Sequence, residues 1–532
     1  MKTRSERGTK TCRRGSANNL LLLCGGGAGV LTLLGAMLFS MSDPGDTANA
    51  KTLMLYCAAG VSPVVDAVVA DYEKEYGVKV QVQPGGSTTL LSQLGAAKMG
   101  DLYIAADMNY IRLAREKGLL KESIPIGKVR PVIAVSKGNP KNITSIDDLL
   151  RDDVKTVLGS EQAAIGRKTR KLLEASGDWE KLNAHVTETG TFKPTVPAVA
   201  NLVKLGTIDA AIIWDTTVKM KNYASHLEAV EVPELNEGLS DVVIGVLTSS
   251  GEKTPSALKF ARYLTAKDKG LQQFAAAGYT VAKGDKWVER PEITFFCGSV
   301  NRRAVDAIVE EFKAREGVGV TTVYNGCGIL TGQMKTIRDQ QAGRGFPDTY
   351  MACDRCYLET VKDWFEDDVD ISDTEIVIAV PKGNPKNIKS LQDLLKPGMK
   401  VAVGQPEQCT IGLLTKQLLE SEGLLGQLNK SGNIATQTPS SALLVPTVTT
   451  GSVDAALAFN TDTIAESDKV DTIRLNLEAA KAVQPFSIAR TSEHKQLARR
   501  LYRKVADSRE SFESAGFNWR LDVPPSVLPT EQ

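Results

Sequence analysis

Apolar residues along this chain recur first in a short continuous run, then at helical spacing, then in a run again. Thr52–Ala58 is largely apolar and reads as a strand. Ser62-Pro63 follows, a favoured helix start, since Ser caps first-turn amides and Pro presets φ at the first helical position. Val65, Val68, Val69, Tyr72 and Tyr76 then recur at helical spacing, and Gly77 supplies the stop. The pattern goes on to predict a strand over 78–83, a turn at Gly85-Gly86-Ser87-Thr88, a helix over 90–98 and a strand over 103–106. Strand, helix, strand, helix predicts an α/β fold with a mostly parallel sheet and right-handed crossovers. Ligands of such sheets sit at the carboxyl ends of strands, which singles out 57–62, 85–88 and 105–107.

The same pattern is written twice. Lys137-Gly138-Asn139-Pro140-Lys141-Asn142-Ile143 returns letter for letter at Lys382 to Ile388, 245 residues later. Cys57 faces Cys297, Gly86-Ser87 faces Gly326-Cys327, Asp101 to Asp107 faces Asp348 to Asp354, and Ile165-Gly166 faces Ile411-Gly412. A period of this size is far longer than the roughly 20–50 residues of a solenoid unit and matches a whole domain. Two tandem modules are therefore expected, 51–287 and 288–523, with 1–50 before them and a tail over 524–532.

Composition narrows the function classes. A net charge of +1 gives no electrostatic reason to expect nucleic acid as a partner. The three His residues, at 185, 226 and 494, are scattered, which argues against a His-rich metal site. No Ser–His–Asp, Cys–His or phosphate-loop constellation is present, which argues against an enzyme, and no cofactor is expected. At the N-terminus, Lys2, Arg4, Arg7, Lys10, Arg13 and Arg14 precede an uncharged stretch over 20–41. That stretch is long enough to span a bilayer, and the basic flank should stay cytoplasmic while the rest is exported. Ala48-Asn49-Ala50 offers a cleavage site, so anchored protein at the periplasmic face and free periplasmic protein are both open.

The segments Tyr-Cys-Ala-Ala-Gly-Val-Ser, Gly-Gly-Ser-Thr-Thr-Leu, Asp-Leu-Tyr-Ile-Ala-Ala-Asp and the Ile165-Gly166 loop together resemble the periplasmic molybdate-binding proteins of ABC importers. The resemblance spans nearly all of 51–523 and implies two type II periplasmic-binding-protein modules. Each would have two lobes joined by two hinge strands, with the module 1 crossings near 129–135 and 230–243. It further implies capture of a tetrahedral oxyanion, molybdate or tungstate first, and ABC permease and ATPase subunits as partners. Family sites hold the anion with backbone N–H groups and hydroxyls. The matching positions in module 1 are Ala59, Gly60, Ser62, Ser87, Thr88, Ile165 and Val196. Trp214 stands where the family has a Tyr donor. In module 2 the matching positions are Ser299, Cys327, Gly328, Ile411 and Ser441, and Phe459 replaces Trp214, removing the donor.

Module 2 also holds five of the eight cysteines, Cys297, Cys327, Cys353, Cys356 and Cys409. Disulfides, a thiolate site for a soft metal and a thiol-redox role through Cys353-x-x-Cys356 compete for them. A soft-metal or redox protein is thus the alternative reading of the chain, and a membrane-tethered ligand sensor is a third.

Overall fold

The computed structural model describes residues 52–339 and 345–521. The expected anchor or signal segment and the tail from Pro524 lie outside them. Among the described residues no helix is long and apolar enough to cross a membrane.

Module 1 is built on two sheets. The first runs, edge to edge, Thr280–Val281, Leu120–Val129, Ser240–Leu247, Leu102–Ala105, Thr52–Ala58, Lys79–Gly85. Thr52–Ala58 pairs in parallel with Lys79–Gly85, from Thr52 opposite Lys79 to Ala58 opposite Gly85. That register brings the two strand ends, and the helices that follow them, to one edge. The second sheet runs Thr191–Lys193, Thr156–Gly159, Ala210–Trp214, Pro131–Ser136, Leu227–Val230. Both sheets are mixed rather than mostly parallel as expected, because the strands at the lobe crossings pair antiparallel with their neighbours; their central strands are buried runs of Val, Ile, Leu and Ala covered by helices. The chain crosses between them at Arg130 and again between Val230 and Ser240. Asp215 pins the first crossing: its carboxylate accepts from Arg130 N–H at 3.0 Å and its own N–H donates to the Arg130 carbonyl at 2.9 Å.

Module 2 repeats the plan with one difference. Phe365–Pro381 is a single 17-residue strand that passes through both lobes. It pairs with Lys481–Ala489 at one end and with Ala455–Phe459 and Val470–Arg474 at the other, so ten strands form one sheet. At the crossing module 1 has Pro131 where module 2 has Ile376. Pro has no N–H to continue a ladder and Ile does, which accounts for the break in one copy and the continuity in the other.

The repeated heptad is explained by backbone geometry. Asn139 and Asn142 have φ of 43° and 51°, and Asn384 and Asn387 have 44° and 47°. Asn tolerates this left-handed region, and its side chain closes the turn. In each copy the Asn amide donates to the carbonyl, and its oxygen accepts from the N–H, of the Ile four residues on. The identity of the two strings thus preserves a turn after the hinge strand.

Two element boundaries differ from expectation. The first helix, Ser62–Tyr76, is N-capped by Val61, so Ser62 is its first residue; its hydroxyl donates to the Ala59 carbonyl at 3.2 Å. The second helix starts at Ser87, inside the expected turn, and runs to Ala97, because Gly86 is already the extended N-cap.

The candidate anion clefts

Four helices of module 1 begin at the cleft between its lobes. Ser62–Tyr76 and Ser87–Ala97 come from the first lobe, Ala164–Ser176 and Val196–Lys204 from the second. The first-turn amides of any helix lack intrahelical acceptors. Three of these ends, capped by Val61, Gly86 and Ala163, have no side chain satisfying those amides. Only the fourth is capped, by Thr195 Oγ1 accepting from Ala198 N–H. Helix ends left open in this way carry partial positive charge and unspent donors.

The cleft is closed. Thr88 N–H donates to the Gln162 carbonyl of the opposite lobe at 3.1 Å, and Thr88 Oγ1 donates to the Glu161 carbonyl at 2.7 Å. Gly60 and Val196 face each other so tightly that a Cβ on Gly60 would lie 3.2 Å from the Val196 Cβ. A Cβ on Gly86 would collide with the Gln162 and Pro194 carbonyls. The two lobes also meet through Lys168 Nζ and Asp107 Oδ2, 3.0 Å apart, and the Arg167 guanidinium lies 5.9 Å from the Tyr110 ring centre.

Gly60, Ser87, Ile165 and Val196 thus sit on elements that converge at the closed cleft. Three other expected donors are already engaged. Ala59 N–H donates to the Gly85 carbonyl at 2.9 Å and cannot also reach a ligand. Both donors of Thr88 hold the opposite lobe, so its role is closure. The Ser62 hydroxyl is spent on its own turn. Trp214 is packed beside the hinge crossing, opposite Pro131, and only 2% exposed. Lys168 and Tyr110 are closure residues that the sequence did not single out. The one available signal was the asymmetry of the repeat, since position 168 corresponds to Leu414 in module 2. Asp107 caps its helix, accepting from Asn109 N–H at 2.8 Å, and is an ion-pair partner across the cleft as well.

Module 2 keeps the closure geometry and changes the chemistry. Ile329 N–H, one residue past Gly328 at the Thr88 position, donates at 3.3 Å to the carbonyl of Gln408, the counterpart of Gln162, and Tyr357 donates to the Pro406 carbonyl across the cleft. A Cβ on Gly328 would come 2.5 Å from the Glu407 carbonyl, so the backbones nearly touch there. Ile411 lies in the first turn of Thr410–Ser421, whose N-cap Cys409 offers no side-chain cap. Ser299 opens a short turn after its strand and is half-buried. Ser441 is buried beside Asp462, whose carboxyl burial pushes up to about 6.

The cysteines form no disulfide among the described residues: Cys297, Cys327, Cys353, Cys356 and Cys409 are free thiols, as is Cys57. Nor do the described residues hold any group of three or more His, Cys, Asp or Glu arranged for a metal ion. Cys297 is spent within its own strand end, its thiol on the Gly298 carbonyl, and Cys356 lies in the short helix Arg355–Glu359, half-buried. The soft-metal reading therefore lacks its ligand set within the described residues.

The chain belongs to the bacterial extracellular solute-binding protein family, whose model matches it twice, over residues 53–280 and 293–518. A putative binding protein of Haemophilus influenzae is 28% identical over 239 residues, 44% of this chain and 93% of its own length. The molybdate-binding protein ModA of Mycobacterium tuberculosis is 28% identical over 227 residues, 42% of this chain and 83% of its own. Among solved structures, the substrate binding domain of a putative molybdenum ABC transporter from Clostridium difficile aligns at 21% identity with a TM-score of 0.34, covering 43% of this chain and 99% of its own. Each relative is about one module long, and the chain is a tandem duplication of such modules.

Proposed function

We propose that this is an extracytoplasmic solute-binding protein whose module 1 captures a tetrahedral oxyanion, molybdate or tungstate first, and passes it to the permease and ATPase of an ABC importer. The observation that carries this reading is the convergence of three side-chain-uncapped helix ends on one closed cleft. An oxyanion entering the cleft is stripped of water and needs replacement donors. The amides of Gly60, Ile165 and Val196 and the Ser87 hydroxyl supply them without a full counter-charge, so the ligand is held and still released. Closure through Thr88, Asp107 and Lys168 completes the donor set only when both lobes are in place. The role is binding and delivery, with no chemical step. The 1–50 segment directs export and either tethers the protein to the membrane or is removed. The chain's likeness to molybdate-binding proteins supports the ligand class.

A thermal-shift screen with molybdate, tungstate, sulfate and phosphate tests this reading. A ligand that binds only the native state adds roughly 2.7 kcal/mol at a hundred times its Kd. Stabilisation by molybdate or tungstate is expected; indifference to all four anions would refute the oxyanion assignment.

A further inference from the structure

The two positions that differ most in character between the clefts lie together in module 2. Cys327 replaces Ser87, and Cys353 replaces Ala106. Their sulfurs are 3.0 Å apart, and Cys353 N–H donates to Cys327 Sγ at 3.1 Å. Cys327 is the first residue of the 13-residue helix Cys327–Asp339, so the positive end of that helix adds to the donor. Gly298 makes room for the pair, since a Cβ there would lie 2.9 Å from Cys327 Sγ and closer still to Cys353 Sγ. The other thiols are engaged elsewhere. Cys409 donates to the Gln405 and Thr438 carbonyls, and Cys297 to the Gly298 carbonyl.

We propose that Cys327 and Cys353 form a redox-active dithiol that exchanges with external disulfides, in place of the Cys353-x-x-Cys356 pair suggested by spacing. The two thiols are not equivalent. Burial works to raise both, yet the hydrogen bonds it receives from the Cys353 side chain and from Cys353 N–H bring Cys327 below the ordinary thiol value. Its bond to Cys327, together with burial, drives Cys353 up. Cys327 is therefore the first of the two to give up its proton, and Cys353 the second.

The exchange balances with one external disulfide, R–S–S–R. Cys327 thiolate attacks one sulfur, the external S–S bond breaks, and one R–S⁻ leaves. That thiolate takes the proton of Cys353. The Cys353 thiolate then attacks Cys327 Sγ, and the second R–S⁻ leaves with the bonding pair. The dithiol has lost two electrons to the external disulfide, which is now one thiol and one thiolate. Cys327 is buried and Cys353 only 4% exposed, so attack requires the cleft to open at Ile329–Gln408 and Tyr357–Pro406.

The test treats the folded full-length chain with oxidised glutathione, quenches with acid and maps the cysteines by alkylation and peptide mass spectrometry. One internal Cys327–Cys353 link and two fewer free thiols are expected. Cys353→Ser should stop at a single glutathione on Cys327, whereas Cys327→Ser should give neither link nor adduct at Cys353. Circular dichroism on both variants checks that they fold, and the Cys353→Ser adduct alone suffices if the other does not. A link through Cys297, Cys356 or Cys409 would overturn the proposal. So would an adduct on Cys353 as fast in Cys327→Ser as the link forms in the unaltered chain, or no loss of thiols at all.

Discussion

Gly86 shows how a single hydrogen in place of a methyl sets what the cleft can do. Its φ of −68° is open to any residue, so the demand for glycine comes from the Gln162 and Pro194 carbonyls that a Cβ would strike. Those carbonyls belong to the opposite lobe, so the clash exists only in the closed form. Gly86→Ala is expected to leave the unfolding midpoint of the ligand-free protein nearly unchanged while weakening oxyanion binding. Overpacking of this kind costs typically about 1–3 kcal/mol, roughly tenfold to a hundredfold in Kd, readable by isothermal titration. Ser87→Ala removes a donor outright. A hydrogen bond to a charged group contributes about 1.5–3 kcal/mol, so a loss on the order of tenfold to a hundredfold is expected in the same titration. An unchanged affinity would take Ser87 out of the site.

At the scale of elements, hydrophobic periodicity carried the strands and the helices, because a buried strand or amphipathic helix repeats its apolar positions locally, whereas the two hinge crossings came only from the family resemblance. It misplaced the start of the Ser87–Ala97 helix, because Ser87 and Thr88 are polar residues that read equally well as a turn. The closure contacts were not legible, since Thr88 is held by backbone carbonyls of Glu161 and Gln162 and any residue supplies a carbonyl. The amide spent between Ala59 and Gly85 was silent for the same reason. The short helix Asn460–Ile464 carries a pH response. Burial raises the Asp462 carboxyl from 3.8 to about 6 in the folded state. Because the folded pKa lies above the unfolded one, its favourable contribution is fully present below the unfolded value and is lost as pH rises through the folded one. Thermal unfolding of module 2 should therefore lose on the order of 2 kcal/mol between about pH 4 and about pH 7 from this group. Asp462→Asn should remove that part of the slope; an identical pH profile for the variant would show that Asp462 is ionised at no cost.

At the scale of the molecule, the two modules are joined by buried charge. Glu316, fully buried in module 2, accepts from Arg500 at 3.1 Å, and its backbone carbonyl accepts from Arg262 of module 1 at 2.7 Å. Burial brings the Arg262 guanidinium down to about 10. Glu122 of module 1 accepts from Arg315 at 3.2 Å and from Arg503 at 3.0 Å. Asp285, in the connecting segment, accepts from the amides of Gln496 and Leu497 at the start of a module 2 helix. Partners up to 381 residues apart left no trace in the sequence pattern. Glu316→Ala would leave the buried Arg500 without its carboxylate, while Arg262 keeps the backbone carbonyl, a loss on the order of 3–5 kcal/mol that should lower the urea midpoint of the whole described unit. Glu478→Ala, which breaks only the exposed pair with Lys481, should cost under about 1 kcal/mol in the same assay. In the proposed function module 1 is the oxyanion receptor and the thiol-bearing cleft of module 2 is not. Calorimetric titration of the full-length chain with molybdate tests it most directly. One site per chain is expected, weakened by Ser87→Ala and present with or without reductant. Absence of binding, two equivalent sites, or a single site indifferent to Ser87→Ala would contradict it.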